Sequence, residues 1–333
     1  MSNDRQDDVP TVTDLCPPNL NHPYFEGSNL PPFDPTATGY SPANAWWLAE
    51  ASLLAYGGPA LFDRVRNADN VLARDRVRLE TLDDGHENGV LILSTERFAI
   101  VAFRGTRVLG LQNPLAFGQS LKPHLRDVVT DIQFVQVPFE PGNVHQGFLA
   151  AYDQLTEKLD PRLAQWRDRD IWFTGHSLGA ALATIAAGRN GHARALYTFG
   201  SPRVGDMLFG TAFTDLPCFR IVHQDDIVVR LPPPRIPWVS SATYRHVGNL
   251  IFIERDGHMD LTRAPKPYLD VFAGQMDWEA IKRGWQDIVN DVTTIIGRPP
   301  SIKNFTDLPV PRNSVTDHAP IFYTRHLKRQ LAR

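Results

Sequence analysis

One segment constrains this chain more than any other: Ile171-Trp172-Phe173-Thr174-Gly175-His176-Ser177-Leu178-Gly179-Ala180-Ala181-Leu182-Ala183. An apolar run fit for a buried strand leads straight into Gly-x-Ser-x-Gly, and a helix-forming run of small residues leaves it. The five-residue pattern alone would arise by chance in roughly one chain of this length in ten, so its context carries the information. A serine between strand and helix must stand on a sharp turn for its hydroxyl to project from the sheet. Gly175 and Gly179 keep β-carbons out of the place where strand and helix cross. The small residues after Ser177 let the helix lie close to the sheet, so its N-terminus aims free N–H groups at whatever the serine meets. Ser177 is then a candidate nucleophile and the Leu178 N–H a candidate oxyanion donor. The bland alternative is a serine N-cap between two convenient glycines.

The surroundings predict a sheet for that turn to sit on. Val90 to Ser94 and Phe98 to Phe103 are short apolar runs suited to buried strands, and Ile171 to Thr174, Ala195 to Phe199, Phe219 to Val222 and Asn249 to Glu254 read as further strands of the sheet. Ser41-Pro42 opens a helix with serine as N-cap and proline at the first helical position. Further helices are expected over 143–167 and 177–188. Strand alternating with helix implies a mainly parallel central sheet with helices on both faces. With the serine turn this is an α/β-hydrolase fold.

At 333 residues and 42% apolar, the chain can bury a large core, and its net charge of -3 offers no general attraction to nucleic acid or anionic membrane. Residues 1–42 hold eight prolines and are expected to form an extended, partly disordered arm before a domain over 43–333. Residues 260–316 read as an insertion containing a helix over 277–296 that packs on the core, with docking on lipid as the alternative. No stretch is apolar for the about 20 residues a membrane span needs. The N-terminus shows no secretory signal pattern, so the expected location is the cytoplasm, or outside by a route without such a signal. Cys16 and Cys218 could pair, but with no other sign of a disulfide scaffold two free buried thiols are expected.

A hydroxyl attacks well only when a base takes its proton and an acid orients that base, and in this fold the order is Ser, acid, His. Asp225 and Asp226 both follow the strand ending at Val222, where open α/β sheets keep their sites, and spacing does not choose between them. His246, at the start of a strand, and His318, before a final helical stretch, both follow, whereas His258 lies in a polar turn and should be solvated. Thr106, after the strand ending at Phe103, can offer N–H and hydroxyl as a second oxyanion donor; an ordinary strand-ending turn is the alternative.

Taken in order, Phe103-Arg104-Gly105-Thr106, Val144-His145-Gln146-Gly147-Phe148, Gly175 to Gly179, Phe199-Gly200-Ser201-Pro202-Arg203-Val204-Gly205, and Asp226-Ile227-Val228 with Leu231-Pro232 closely resemble the class 3, fungal-type triacylglycerol lipases over roughly residues 40–325. The resemblance implies Asp226 as the acid, His318 as the base, Thr106 as the oxyanion residue, His246 and His145 as structural, and a lid over 107–124. It further implies hydrolysis of acylglycerol-type esters through an acyl-enzyme, with a lipid ester at a lipid–water interface as substrate and no metal or organic cofactor. A phospholipase, a short-chain esterase, or a lipid-binding module with a silent triad remain the alternatives. The Pro-rich arm, the 260–316 insertion and the lack of a signal pattern depart from the family.

Overall fold

The computed structural model describes residue 14 and residues 17–27, 29–83, 88–106, 135–226, 228–232, 234–236, 239–254, 256–261 and 316–331. The expected lid at 107–124 and the expected helix at 277–296 lie outside the described residues, as does Cys16.

An eight-stranded sheet forms the centre, built in chain order from β1 (Arg78–Asp83), β2 (Gly89–Ser94), β3 (Phe98–Phe103), β4 (Asp170–His176), β5 (Ala193–Phe199), β6 (Cys218–His223), β7 (Asn249–Ile253) and β8 (Met259–Asp260). The pairs from β3 to β7 are parallel, and the β1–β2, β2–β3 and β7–β8 pairs are antiparallel. Strands β2, β3 and β6 are buried at every position, which explains why β2 and β3 read as continuous apolar runs rather than alternating ones, while β6 also buries Arg220 and His223.

The pleat divides that apolar content between two layers. Ile100, Trp172, Tyr197 and Ile221 join one core with the helix α1 (Pro42–Leu54) and the C-terminal helix α4 (Pro320–Leu331). Val101, Phe173 and Leu196 join the other with the helices α2 (Gln146–Ala164) and α3 (Leu178–Arg189). The Ser41 hydroxyl oxygen caps α1 by accepting from the Asn44 N–H at 3.2 Å, and every residue from Asn44 to Leu54 is buried, far more than one face.

Two expectations need revision. Residues 143–145 are not helical: they form a short strand paired with 136–138, and α2 begins only at Gln146. The reason is local. The buried His145 imidazole takes the capping position, with Nδ1 accepting from the Gly147 and Phe148 N–H groups. The described part of the Pro-rich arm lacks strands and long helices, but it is packed rather than loose. Tyr24, Phe25 and Phe33 are buried in the α1 core, and the buried Glu50 of α1 accepts from His22 Nε2 at 2.8 Å and from the Phe25 N–H at 3.1 Å. Cys218 is a free buried thiol whose pKa burial pushes up to about 12. Among the described residues no helix is long and apolar enough to cross a membrane.

Candidate active site

β4 runs into the Ser177 turn and α3 leaves it, as expected. Ser177 sits at φ 59° and ψ −127°, a conformation that costs a non-glycine residue about 1–3 kcal/mol. Its side chain makes no capping hydrogen bond to α3, so the N-cap reading of this serine is set aside. Its N–H donates to the Phe199 carbonyl at 3.1 Å, tying the turn to the end of β5. A β-carbon on Gly175 would stand 2.3 Å from the Gly179 backbone, and one on Gly179 2.1 Å from the Phe103 carbonyl oxygen. Both glycines are therefore required for α3 to leave the sheet at this angle. Leu178 is the first residue of α3, so its N–H lies among those with no intrahelical acceptor.

The turn carrying Thr106 packs on this elbow. Thr106 is half-buried just past β3, and a β-carbon on its neighbour Gly105 would stand 2.7 Å from the His176 carbonyl oxygen. The strand-to-turn geometry thus brings the end of β3 against the residues flanking Ser177.

Asp226 and His318 meet although they lie far apart in the chain. His318 ends the single 3-10 turn Thr316–His318 that precedes α4, and its Nδ1 lies 2.9 Å from both Asp226 carboxylate oxygens. Asp226 has no exposed surface and also accepts from the Val228 N–H at 2.9 Å and the Tyr323 hydroxyl at 2.6 Å. Burial alone would raise its pKa, but the His318 charge, the His318 hydrogen bonds and the Tyr323 hydroxyl together hold it below the usual value. An ionised Asp226 accepts, so His318 carries a proton on Nδ1, the tautomer that in a neutral imidazole leaves the lone pair on Nε2. A β-carbon on Gly200, at φ +56°, would stand 2.6 Å from Asp226 Oδ2 and 3.0 Å from His318 Nδ1, so this glycine closes one side of the pair.

The other candidates lie elsewhere. Asp225 is exposed, pairing with Arg230 at 3.2 Å, while its N–H donates to Asp317 Oδ2 at 3.3 Å. His246 lies in a loop ahead of β7, where burial and the neighbouring Arg220 and Arg203 push its pKa well down. His258 is exposed in its turn. Among the described residues no group of three or more His, Cys, Asp or Glu side chains is placed to hold a metal ion.

Sequence reasoning passed over three residues here. Tyr323 donates to Asp226 and accepts from the His223 N–H at 3.2 Å. His176 Nε2 lies 2.7 Å from the His318 carbonyl oxygen, and its Nδ1 2.9 Å from the Tyr56 hydroxyl. His176 was visible inside the Gly-His-Ser motif, but nothing in the sequence shows which backbone group it reaches. Tyr56 lies about 120 residues away with no motif around it.

Residues 100–236 match the family model described as Lipase (class 3), a stretch that contains Thr106, Ser177 and Asp226 and ends before His318. The chain is 39% identical over 99 residues to "Secreted mono- and diacylglycerol lipase 1" of Fusarium solani, covering 27% of this chain and 30% of that protein. It is 35% identical over 126 residues to "Lipase" of Rhizomucor miehei, covering 33% of this chain and 35% of that protein. With "Lipase ZK262.3" of Caenorhabditis elegans it shares 29% over 216 residues, 60% of this chain and 58% of that one. The chain thus spans between 30% and 58% of the length of these relatives. The crystal structure of a lipase from Rhizopus microsporus var. chinensis superposes with a TM-score of 0.48 at 25% identity, covering 68% of this chain and 81% of that one. Across residues 100–236, the stretch that carries the elbow, the Thr106 turn and Asp226, this chain is similar to the class 3 lipases.

Proposed function

We propose that this protein is a serine hydrolase of carboxylic esters, acting on acylglycerol-type lipids at a lipid–water interface. The observation that carries the reading is the fully buried Asp226 bonded to His318 Nδ1, together with a strained Ser177 whose hydroxyl is not used in capping α3. In this mechanism His318 Nε2 takes the Ser177 proton, and Asp226 stabilises the resulting imidazolium. Ser177 Oγ attacks the ester carbonyl. The oxyanion is met by the Leu178 N–H and by Thr106. Collapse expels the alcohol, which takes the proton from His318. Water, activated by the same imidazole, then releases the acid and restores the enzyme.

A fluorophosphonate probe followed by mass-spectrometric mapping tests the reading. One adduct on Ser177 is expected, together with its loss in Ser177→Ala. Labelling that persists in that variant ends the assignment. An ester panel then reads the substrate. Turnover of mono-, di- or triacylglycerols above phospholipids and short soluble esters supports the acylglycerol proposal, and the reverse order moves the chain to one of those classes. Activity that rises when a substrate passes from monomers to micelles supports action at an interface.

A further inference from the structure

We propose that Tyr56 and His176 are positioning residues that fasten the base to the oxyanion turn across the nucleophile elbow. The inference rests on the hydrolase reading above and concerns how the same site is held in register.

The geometry runs in one direction. A carbonyl oxygen has no proton to offer, so His176 must carry one on Nε2 to bond the His318 carbonyl at 2.7 Å. Burial keeps His176 neutral, its pKa pushed well below the usual value, with the His318 charge adding to the effect. A neutral ring bonded through Nε2–H has a lone pair on Nδ1, and the Tyr56 hydroxyl, 2.9 Å away, donates to it. The two bonds fix tautomer and orientation together: the other tautomer would set a lone pair against the His318 carbonyl, and turning the ring over would bring C–H groups to both partners in place of the two nitrogens. The rings of His176 and His318 lie 4.4 Å apart at 33°, so the bond to the main chain of His318 is accompanied by packing on its side chain.

Tyr56 reaches the other half of the site as well. A β-carbon on Gly105 would stand 2.0 Å from its hydroxyl oxygen, which shows how directly that oxygen abuts the turn holding Thr106. One chain of contacts therefore runs from the Thr106 turn through Tyr56 and His176, the residue before Ser177, to the main chain of His318. The turn carrying His318 has a separate anchor, since His223 Nδ1 donates to the Asp317 carbonyl at 3.0 Å. With that anchor in place, removing the His176 bond loosens the base without detaching its turn. Misplacement of a reacting group by about 1 Å can cost about a hundredfold in rate.

The variants are His176→Leu, His176→Gln and Tyr56→Phe, assayed for kcat and KM on a soluble p-nitrophenyl ester, for the rate of phosphonate labelling at Ser177, and for Tm. The amide nitrogen of Gln occupies nearly the place of imidazole Nε2 and can donate to the same carbonyl. Expected are a fall of about ten- to hundredfold in kcat and labelling rate for His176→Leu with KM within about twofold, most of it recovered in His176→Gln. Tyr56→Phe, which removes one oxygen, should lie between. Equal rates for the Leu and Gln variants, a loss confined to KM, or losses that follow Tm alone overturn the proposal while leaving Ser177 as nucleophile. A wild-type protein that takes no label at Ser177 overturns the hydrolase reading and this proposal with it.

Discussion

Asp226 holds more partners than a carboxylate needs for solubility: His318, Tyr323 and the Val228 N–H all donate to it, and none of its surface meets water. Replacing it by Asn should therefore do more than remove a charge. An amide can present its NH2 group to His318 and favour the tautomer with the proton on Nε2, the wrong one for a base. The expected loss in kcat is about 10⁴-fold, read on any ester the wild type cleaves. Tyr323→Phe should act differently, because Asp226 and His318 remain paired. It withdraws one hydrogen bond from a buried charge and leaves the His223 N–H without that acceptor, so a loss of about 2 kcal/mol in unfolding free energy is expected, measured by chemical denaturation. These residues also mark what the sequence could and could not tell. Chain order narrowed the acid to Asp225 or Asp226 and the base to His246 or His318, and the resemblance to the class 3 lipases then pointed to Asp226 and His318. Neighbouring aspartates at 225 and 226 were indistinguishable by spacing, and the structure shows the physical difference between them: one is buried and the other pairs on the surface with Arg230. Tyr323 could not be read at all, since its role arises from α4 returning beneath β6.

At the scale of elements, the elbow depends on the absence of two side chains. Gly179→Ala would place a methyl 2.1 Å from the Phe103 carbonyl oxygen, which is backbone at the buried end of β3 and cannot step aside. Either α3 lifts from β3 or the elbow opens. A destabilisation of about 3 kcal/mol is expected, together with loss of Ser177 labelling, even though the variant leaves every polar group of the site intact. The central strands were legible because burial on both faces selects short, continuous β-branched and aromatic runs, as in Phe98–Phe103. The start of α2 was not, because histidine is outside the usual set of capping residues and the imidazole of His145 does the work of a serine or aspartate there. The packing of the arm was hidden for a related reason. Prolines announce the lack of helix and strand, and Phe25 and Phe33 find their places on α1 only through long-range contact.

Across the whole molecule, buried titratable groups set how the fold answers acid. His176 and His246 are both held neutral by burial, with pKa values well below 6.5 in the fold. The unfolded chain takes up these protons as pH drops through about 6.5, while the native state refuses them, so stability should fall with acidification from that point. Each histidine contributes a slope of up to about 1.4 kcal/mol per pH unit. Asp226, depressed below 3.8, adds in the same direction: its stabilisation is present above that value and is lost only as pH falls through its lower folded value. Urea midpoints measured between pH 7.5 and 5 should decline, and His246→Gln should flatten the decline. A flat profile in the wild type would show that these rings are protonated in the native state.

The placement of His318 at the mouth of a helix that packs against α1 has a temporal consequence. The serine emerges from the ribosome 141 residues before the imidazole it is to work with, counted from 177 to 318. Until α4 docks on the opposite side of the sheet, a growing polypeptide holds an elbow with no proton acceptor, harmless to any ester it encounters. On the proposed reading, competence arrives as the last act of folding, and in a refolding reaction catalysis should lag behind the fluorescence of the enclosed tryptophans Trp46, Trp47 and Trp172.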